Sequence, residues 1–566
     1  MEDFIFGTLA TDELKLLYHR ASRTGLQHAA QLEPSDPVPD QPVSILVTTA
    51  PDFPVDTVVC YYTLDGSEPR GSKGRATNGS ILQLQRTDAI WDTFLWGYCG
   101  RWRGQLPPQP EGTLVRYRIG AWQNGGSETF ADWPDVKTTT DRAAEAFFHG
   151  KPLNGAWVGN PQIGSTFSYA VDRLGPPQWA REAVFYQVFV DRFFPGQGQE
   201  WLQTSDLHGF FGGTLWGVLE KLDYISKLGA SAIWLSPIFP SPTTHGYDAT
   251  DYRTVEPRLG GEQALRELVA AAHGRGIRII LDLVCNHLSD HHPIFREALA
   301  NPRSPYRDWF SFDGSELGYR SFFGVRTMPQ LNLANPEARA WMTDIGRYWL
   351  REFEVDGYRL DHANGPGPSY WSEFWAACKA EKPDSFCFGE IVEPVDVVRR
   401  YAGRLDGCLD FILADWMRRA FGDRQLPLAS FDQFLQQHLS HSDPNFLTLT
   451  FIDNHDMDRF LYLAGGDKRI LRQVATVQMR LPGPPIIYYG TEVGLSQTVG
   501  KASRAGLEAS RAAMLWEAQQ DHELFTYYQG LIHARIEAKP WAVSPRPDRV
   551  ERGIGSVDRV TQERSA

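Results

Sequence analysis

This 566-residue chain has no run of about 18 apolar residues, so no membrane-spanning helix is expected. Its start, MEDFIFGTLATDELKLLYHR, places acids early and lacks an apolar core of signal-peptide length. Cysteine is scarce and scattered: Cys60, Cys99, Cys285, Cys378, Cys387 and Cys408 contain no Cys-x-x-Cys pair. Free, mostly buried thiols and a reducing, cytoplasmic location are the corresponding expectation. Positive charge is also in deficit, with 56 Lys and Arg against 69 Asp and Glu and a net charge of -13. Phosphate binding needs clustered Lys and Arg, so no nucleic-acid partner is expected.

Apolar and aromatic residues are abundant. A 42% hydrophobic content over this length is enough for two or three cores. Aromatic residues make up 13%, including 18 Trp; most belong in cores, although Trp and Tyr also stack on sugar rings. The texture divides the chain into an N-terminal extension (1–40), a period-two stretch with Gly, Pro and Asp turns (41–137) and a looser linker (138–180). The second of these reads as an immunoglobulin-like β-sandwich.

From about residue 181 to 540, short apolar strands alternate with amphipathic helices. VFYQVFV, SAIWLS, IRIILDLV, VDGYRLD, SFCFGEI, CLDFIL, LTLTFID and PIIYYG are each followed by a helical pattern. Eight such units predict an α/β fold, a (β/α)8 TIM barrel, with its active site at the C-terminal ends of the strands. A polar, aromatic insert over 288–327, after strand three, interrupts the alternation.

Three carboxylates fall at or just past strand ends four, five and seven: Asp361 in GYRLDHA, Glu390 in CFGEI and Asp456 in FIDNHDMDRF. Retaining cleavage of a glycosidic bond needs a nucleophilic carboxylate and an acid/base about 5 Å apart. A third anion stabilises the oxocarbenium-like transition state. An Asp at a strand end is often only a helix cap. Arg359, two residues before Asp361, shares its face of the strand and is expected to lower its pKa. Burial beside Cys387, Phe388 and Gly389 is expected to raise that of Glu390.

These segments resemble the α-amylase superfamily, glycoside hydrolase family 13. DLVCNH (282–287), GYRLDHA, FGEI and FIDNHD match its ordered short motifs. MPQLN (328–332), GASAIWLSPIFPSPTTHGYDATDY (229–252) and YYGTEVGL (488–495) are also similar. The Met-Pro variant and the leading sandwich resemble the neopullulanase, maltogenic amylase and cyclodextrinase branch. The resemblance implies Asp361 as nucleophile, Glu390 as acid/base and Asp456 as transition-state stabiliser. It implies that His287 and His455 hydrogen-bond sugar hydroxyls, that Tyr247 stacks on the ring, and that Arg359 sits beside Asp361. The 288–327 insert would be the lid domain. The implied activity is retaining hydrolysis of α-1,4-glucosidic bonds in maltodextrins, cyclodextrins or pullulan-like α-glucans. Transglycosylation or isomerisation on the same site is the alternative, and a non-catalytic barrel relative is a further one. A homodimer through the N-terminal domain is expected.

Several positions depart from the family pattern. Asn364 and Gly365 stand where many relatives carry a Lys and a His on the leaving-group side, and His362 beside the nucleophile is unusual. The polar tail 541–566 is too short for the β-domain that commonly follows, so the expectation is that either this domain is missing or the chain is truncated. Asn286 occupies a calcium-ligand position of many relatives. The lid carboxylates form no D-x-D cluster, however, and the FPGQGQE loop after strand one supplies only Glu200. Neither a metal nor a cofactor is expected. Asp282 is expected to partner an Arg or a backbone amide rather than act as a catalyst.

Overall fold

The computed structural model describes residues 16–133, 150 and 164–542, apart from 18, 21, 205, 314–316, 504 and 505. Eight parallel strands form the barrel: Phe185–Val188, Ala232–Leu235, Arg278–Leu283, Gly357–Leu360, Phe386–Gly389, Gly407–Leu409, Leu447–Leu449 and Ile486–Tyr488. They are referred to below as strands one to eight. Each pairs with its successor up to the seventh, and the eighth pairs with the first. The ring closes between seven and eight at the bridge from Thr450 to Pro485, where the Ile486 N–H donates to the Thr450 carbonyl at 2.8 Å.

Alternation along each strand divides the side chains between two cores. Phe185, Trp234, Ile280, Phe386, Phe388, Leu449 and Ile486 fill the barrel interior. Tyr186, Ile233, Leu235, Ile279, Leu281, Tyr358 and Leu360 point outwards against the helices. Because both faces are covered, the strands read as continuous apolar runs. The helices start on local signals. Asn335 caps Pro336–Glu352 by accepting from Glu337 and Ala338, with Pro336 in the first turn. Asp521 caps His522–Ala538 through Leu524. The helical segment after strand one is broken at Lys221 into Leu215–Glu220 and Leu222–Leu228.

The N-terminal region is a sandwich of two sheets, each five-stranded. Val43, Ile45, Val47 and Trp102 from one sheet meet Val58, Cys60, Val115, Tyr117 and Ile119 from the other in a shared core. Its extent differs from the expected boundaries at both ends. Leu26–Gln27 and Leu32–Glu33, expected in the extension, pair with Val43–Thr49. Phe167–Val171, expected in the linker, pairs along Thr113–Trp122. A buried edge strand gains a ladder of hydrogen bonds that local composition does not reveal. The remaining linker residues 134–149 and 151–163, like the tail from 543, lie outside the described residues.

The added strand also ties the sandwich to the barrel. Ser168 Oγ donates to the Ser369 carbonyl at 2.7 Å, and Ser372 Oγ donates back to the Ser168 carbonyl at 3.1 Å. Arg116 pairs with Glu373 at 2.6 Å. All three barrel partners lie on helix Pro368–Glu381, which follows strand four. Just before it, Gly367 (φ 81°) passes under the Trp133 indole, where a Cβ would come within 2.7 Å of Nε1.

The insert after strand three is closed at its base by bridges from His287 to Gln330 and from Ser321 to Pro329. Phe295, Phe310, Phe312 and Tyr319 pack edge to face or in parallel inside it. Phe322 and Met328 project from it into the cavity at the barrel mouth.

Candidate active site

Strand four provides the centre of the site. Arg359 is fully buried, and its guanidinium divides between three carboxylates. Nη1 donates to Asp361 Oδ1 at 2.7 Å and to Asp282 Oδ1 at 2.9 Å, while Nη2 pairs with Glu390 Oε2 at 2.9 Å. Asp282, on strand three, also accepts from the Trp234 indole at 3.1 Å and the Tyr247 hydroxyl at 3.0 Å. It is thus a partner of Arg359, enclosed by protein donors. Glu390 follows strand five; its N–H donates to the Leu360 carbonyl at 2.9 Å, and its carboxylate accepts the His362 N–H at 3.0 Å. These bonds lock the Asp361 and Glu390 loops to each other. Asp456 lies after strand seven, where Asn454 Oδ1 accepts its N–H at 2.8 Å. Its carboxylate meets Arg511 Nη2 at 3.1 Å and His455 Nε2 at 3.0 Å.

The electrostatics separate these groups. Burial pushes Asp361 well above the usual carboxylate range; Arg359 pulls it down, but Glu390, Asp282 and Asp456 push it up again. The sequence expectation that Arg359 would lower Asp361 therefore fails on the net direction. One guanidinium is shared by three carboxylates, and the burial cost outweighs it. Glu390 is also raised, by burial first and then by Asp456, against the pull of Arg359. Asp456 goes the other way: burial raises it, but His455 and Arg511 outweigh burial and hold it well below the ordinary range. A low-lying anion, Asp456, thus stands beside two carboxylates that burial raises, Asp361 and Glu390.

Asp361, Glu390, Asp456, Tyr247 and His287 line one cavity of about 150 Å³, roofed by Phe322 and Met328 of the insert. The His287 ring stacks on Phe322 at 4.6 Å between centroids, and its buried Nε2 has no protein partner. Tyr247 stacks on the His455 ring at 5.4 Å and 6°. Arg359 and His455 are brought to the same cluster but do not line the cavity. The His455 ring is held by the protein on both sides. Nδ1 meets Gln187 Nε2 at 2.7 Å and Nε2 meets Tyr247 and Asp456, so the protein already uses both ring nitrogens.

Two contributors were not recognised in the sequence. Gln187 has a local signal, a polar residue inside the apolar strand YQVF. Arg511, in SRAAMLW, has none. Asn286 accepts from Gln330 Nε2 at 3.2 Å and lies 3.2 Å from His287 Nδ1, a structural placement between lid and barrel. Among the described residues, no group of three or more His, Cys, Asp or Glu is arranged to hold a metal ion.

Residues 187–537 match the family model for the α-amylase catalytic domain. The chain is 40% identical over 369 residues to α-amylase 2 of Dictyoglomus thermophilum, covering 65% of each chain. It is 35% identical over 389 residues to a cyclomaltodextrinase of Geobacillus thermopakistaniensis, covering 65% of this chain and 64% of that one. The match thus spans just under two thirds of the length of these relatives. Among solved structures, a cyclic α-maltosyl-(1→6)-maltose hydrolase from Arthrobacter globiformis superposes with a TM-score of 0.59 at 31% identity, over 64% of this chain and 84% of that one. A cyclomaltodextrinase superposes with a TM-score of 0.60 at 26% identity, over 91% of this chain and 84% of that one.

Proposed function

This chain belongs to the α-amylase family of glycoside hydrolases, and from that premise we propose that it hydrolyses α-1,4-glucosidic bonds with retention, in short or cyclic α-glucans. One observation carries the reading: a single buried guanidinium holds Asp361 and Glu390 together at the wall of a roofed cavity that also contains Asp456. Asp361 attacks the anomeric carbon while Glu390 passes its proton to the departing oxygen. Asp456, held as an anion, faces the positive charge that develops on the ring. Glu390, now a carboxylate, then takes a proton from water as that water cleaves the glycosyl-enzyme. A sugar hydroxyl in place of water gives transglycosylation.

The roof formed by Phe322 and Met328 favours a short or cyclic chain over long starch. On the leaving-group side, Asn364 bonds Glu393 at 3.3 Å, so acceptor contacts fall to small polar groups. Chromatography of products from maltotriose, β-cyclodextrin and pullulan, with NMR of the first anomer released, tests the reading. Release of α-anomers of maltose or glucose supports it; an inverted first product, or no cleavage of any of the three, sinks it.

The same reading extends to assembly: the sandwich pairs two subunits. Trp91, Trp96 and Tyr98 form an exposed edge-to-face cluster, with Trp96 76% exposed, and such patches commonly mark contacts. Light scattering at micromolar concentration tests this; a monomer rejects it.

A further inference from the structure

Asp456 owes its setting to residues from distant parts of the chain. Arg511 is 4% exposed, and each of its donor nitrogens has a partner. Nε donates to the His455 carbonyl at 2.9 Å, Nη1 to Glu508 Oε1 at 2.6 Å and Nη2 to Asp456 Oδ1 at 3.1 Å. Glu508 is buried and takes a second guanidinium, Arg192 Nη2, at 3.2 Å. Arg192 is fully buried, with Nη1 donating to the Arg511 carbonyl at 2.8 Å and Nη2 to the Leu207 carbonyl at 2.7 Å. Its Nε pairs with Asp191 at 2.9 Å, and its guanidinium lies 4.0 Å from the centre of the Phe211 ring.

A buried Arg–Glu–Arg triad is a costly way to join two loops. Apolar side chains of similar volume often do so at no loss of stability. What the triad supplies instead is direction, since a guanidinium with every donor engaged leaves its carboxylate partner one orientation. Here that partner is Asp456, in the wall of the cavity.

We infer that Arg511, seated by Glu508 and Arg192, is a positioning residue that fixes the Asp456 carboxylate, and that the loop around Leu207 after strand one sets this geometry through Arg192. The inference rests on the proposed glycosidase reading. The groups facing Asp456 are His455 and His245, the Tyr247 hydroxyl, the carboxylates Asp361 and Glu390, and the cations Arg359 and Arg511. Arg359 is divided among three carboxylates, so of the two guanidiniums Arg511 is the one whose loss Asp456 would feel more.

The test is steady-state hydrolysis of maltotriose from pH 4 to 9 by wild type, Arg511→Met, Arg511→Lys and Arg192→Lys, with a thermal melt of each. Arg511→Met is expected to lower kcat by about 100-fold, the scale of losing one preorganised charge contact, with KM changed by less than about threefold. Its acidic limb, which in this range belongs to the raised Asp361, should move to higher pH, because Asp456 without its cation repels the Asp361 charge more strongly. Arg511→Lys should return the limb to its wild-type position while recovering only part of kcat, since the ammonium keeps the charge and loses the fork. Arg192→Lys, outside the cavity, should give a smaller loss of kcat at unchanged KM, and serves if Arg511→Met does not fold. Wild-type rate and an unmoved acidic limb in Arg192→Lys and in a folded Arg511 variant would overturn the inference. So would equal losses in Arg511→Met and Arg511→Lys with the limb unmoved, which denote packing alone. Inactivity of the wild type would instead sink the glycosidase reading itself.

Discussion

Strand four carries a buried aspartate at each end, and the two behave in opposite ways. At the lower end, Asp356 accepts from His273 at 2.7 Å, Lys382 at 2.8 Å, Arg278 at 2.9 Å and the Ile279 N–H at 2.8 Å. Burial raises it, but His273 and Lys382 outweigh burial and bring it down to about 2. At the upper end, Asp361 shares one guanidinium with two other carboxylates and is raised. Residue type and strand are matched, so the surroundings decide the sign: several basic side chains share Asp356, whereas Asp361 is more deeply desolvated and shares one guanidinium among three carboxylates. In a barrel of this kind the N-terminal face serves stability and the C-terminal face serves function. Here the contrast is written into one strand.

Removing the upper carboxylate should produce the largest effect. Asp361→Asn is expected to lower turnover by about four orders of magnitude, the scale seen when one member of a coupled catalytic set is lost. Its melting temperature should equal or exceed that of wild type, because a group that costs stability when charged has gone. A folded variant with more than a few per cent of wild-type rate would remove Asp361 from the chemistry. Glu390→Gln should be nearly inactive on maltotriose yet recover partly on substrates whose leaving group needs no proton. Equal impairment on both kinds of substrate would deny it the acid role.

The lower carboxylate should show the reverse. Asp356→Ala should cost about 3 kcal/mol of unfolding free energy, as expected when one partner of a buried charge cluster is deleted. Urea denaturation measures this, and turnover per folded molecule should stay near wild type. A variant that loses rate without losing stability would erase the distinction between the two ends.

The pH dependence of stability gives a finer test. Asp356 has a lowered folded value, so its contribution is present above the ordinary carboxylate range and is lost as pH falls through about 2. Asp361 and Glu390 have raised folded values, so their penalty is present at neutral pH and relieved as pH falls through those values. The stability advantage of Asp361→Asn over wild type should therefore shrink from pH 8 towards pH 4 in urea titrations. An advantage that grows on acidification would mean Asp361 is not raised. The smallest effect concerns metal: dialysis against EDTA should shift the melting temperature by less than about 1 °C, since calcium wants about six to eight oxygen ligands. A fall of several degrees that calcium reverses would show a site built from distant residues.

Much of the barrel was legible because its signals are local. Each strand is a short apolar run and most of the long helices are amphipathic, and Asp361, Glu390 and Asp456 each sit within a short motif. The less legible parts depend on pairing. Phe167–Val171 looks like linker until Thr113–Trp122 supplies its ladder. Nothing local to His455 points to Gln187, 268 residues away in sequence, which meets its Nδ1.

What the sequence by itself determined is the inventory: eight strand–helix units, three carboxylates at strand ends, one Arg beside the first of them, and an aromatic insert. Only the tertiary structure decided how charge is shared within that inventory. Arg359 meets Asp282 across 77 positions and Arg192 meets the Arg511 carbonyl across 319. A pKa depends on burial and on every charge within a few ångströms, and neither is a property of neighbours along the chain. That is why Asp361, next in sequence but one to an arginine, is raised, while Asp456, with no arginine before it in its motif, is lowered by His455 beside it and by Arg511, 55 positions on.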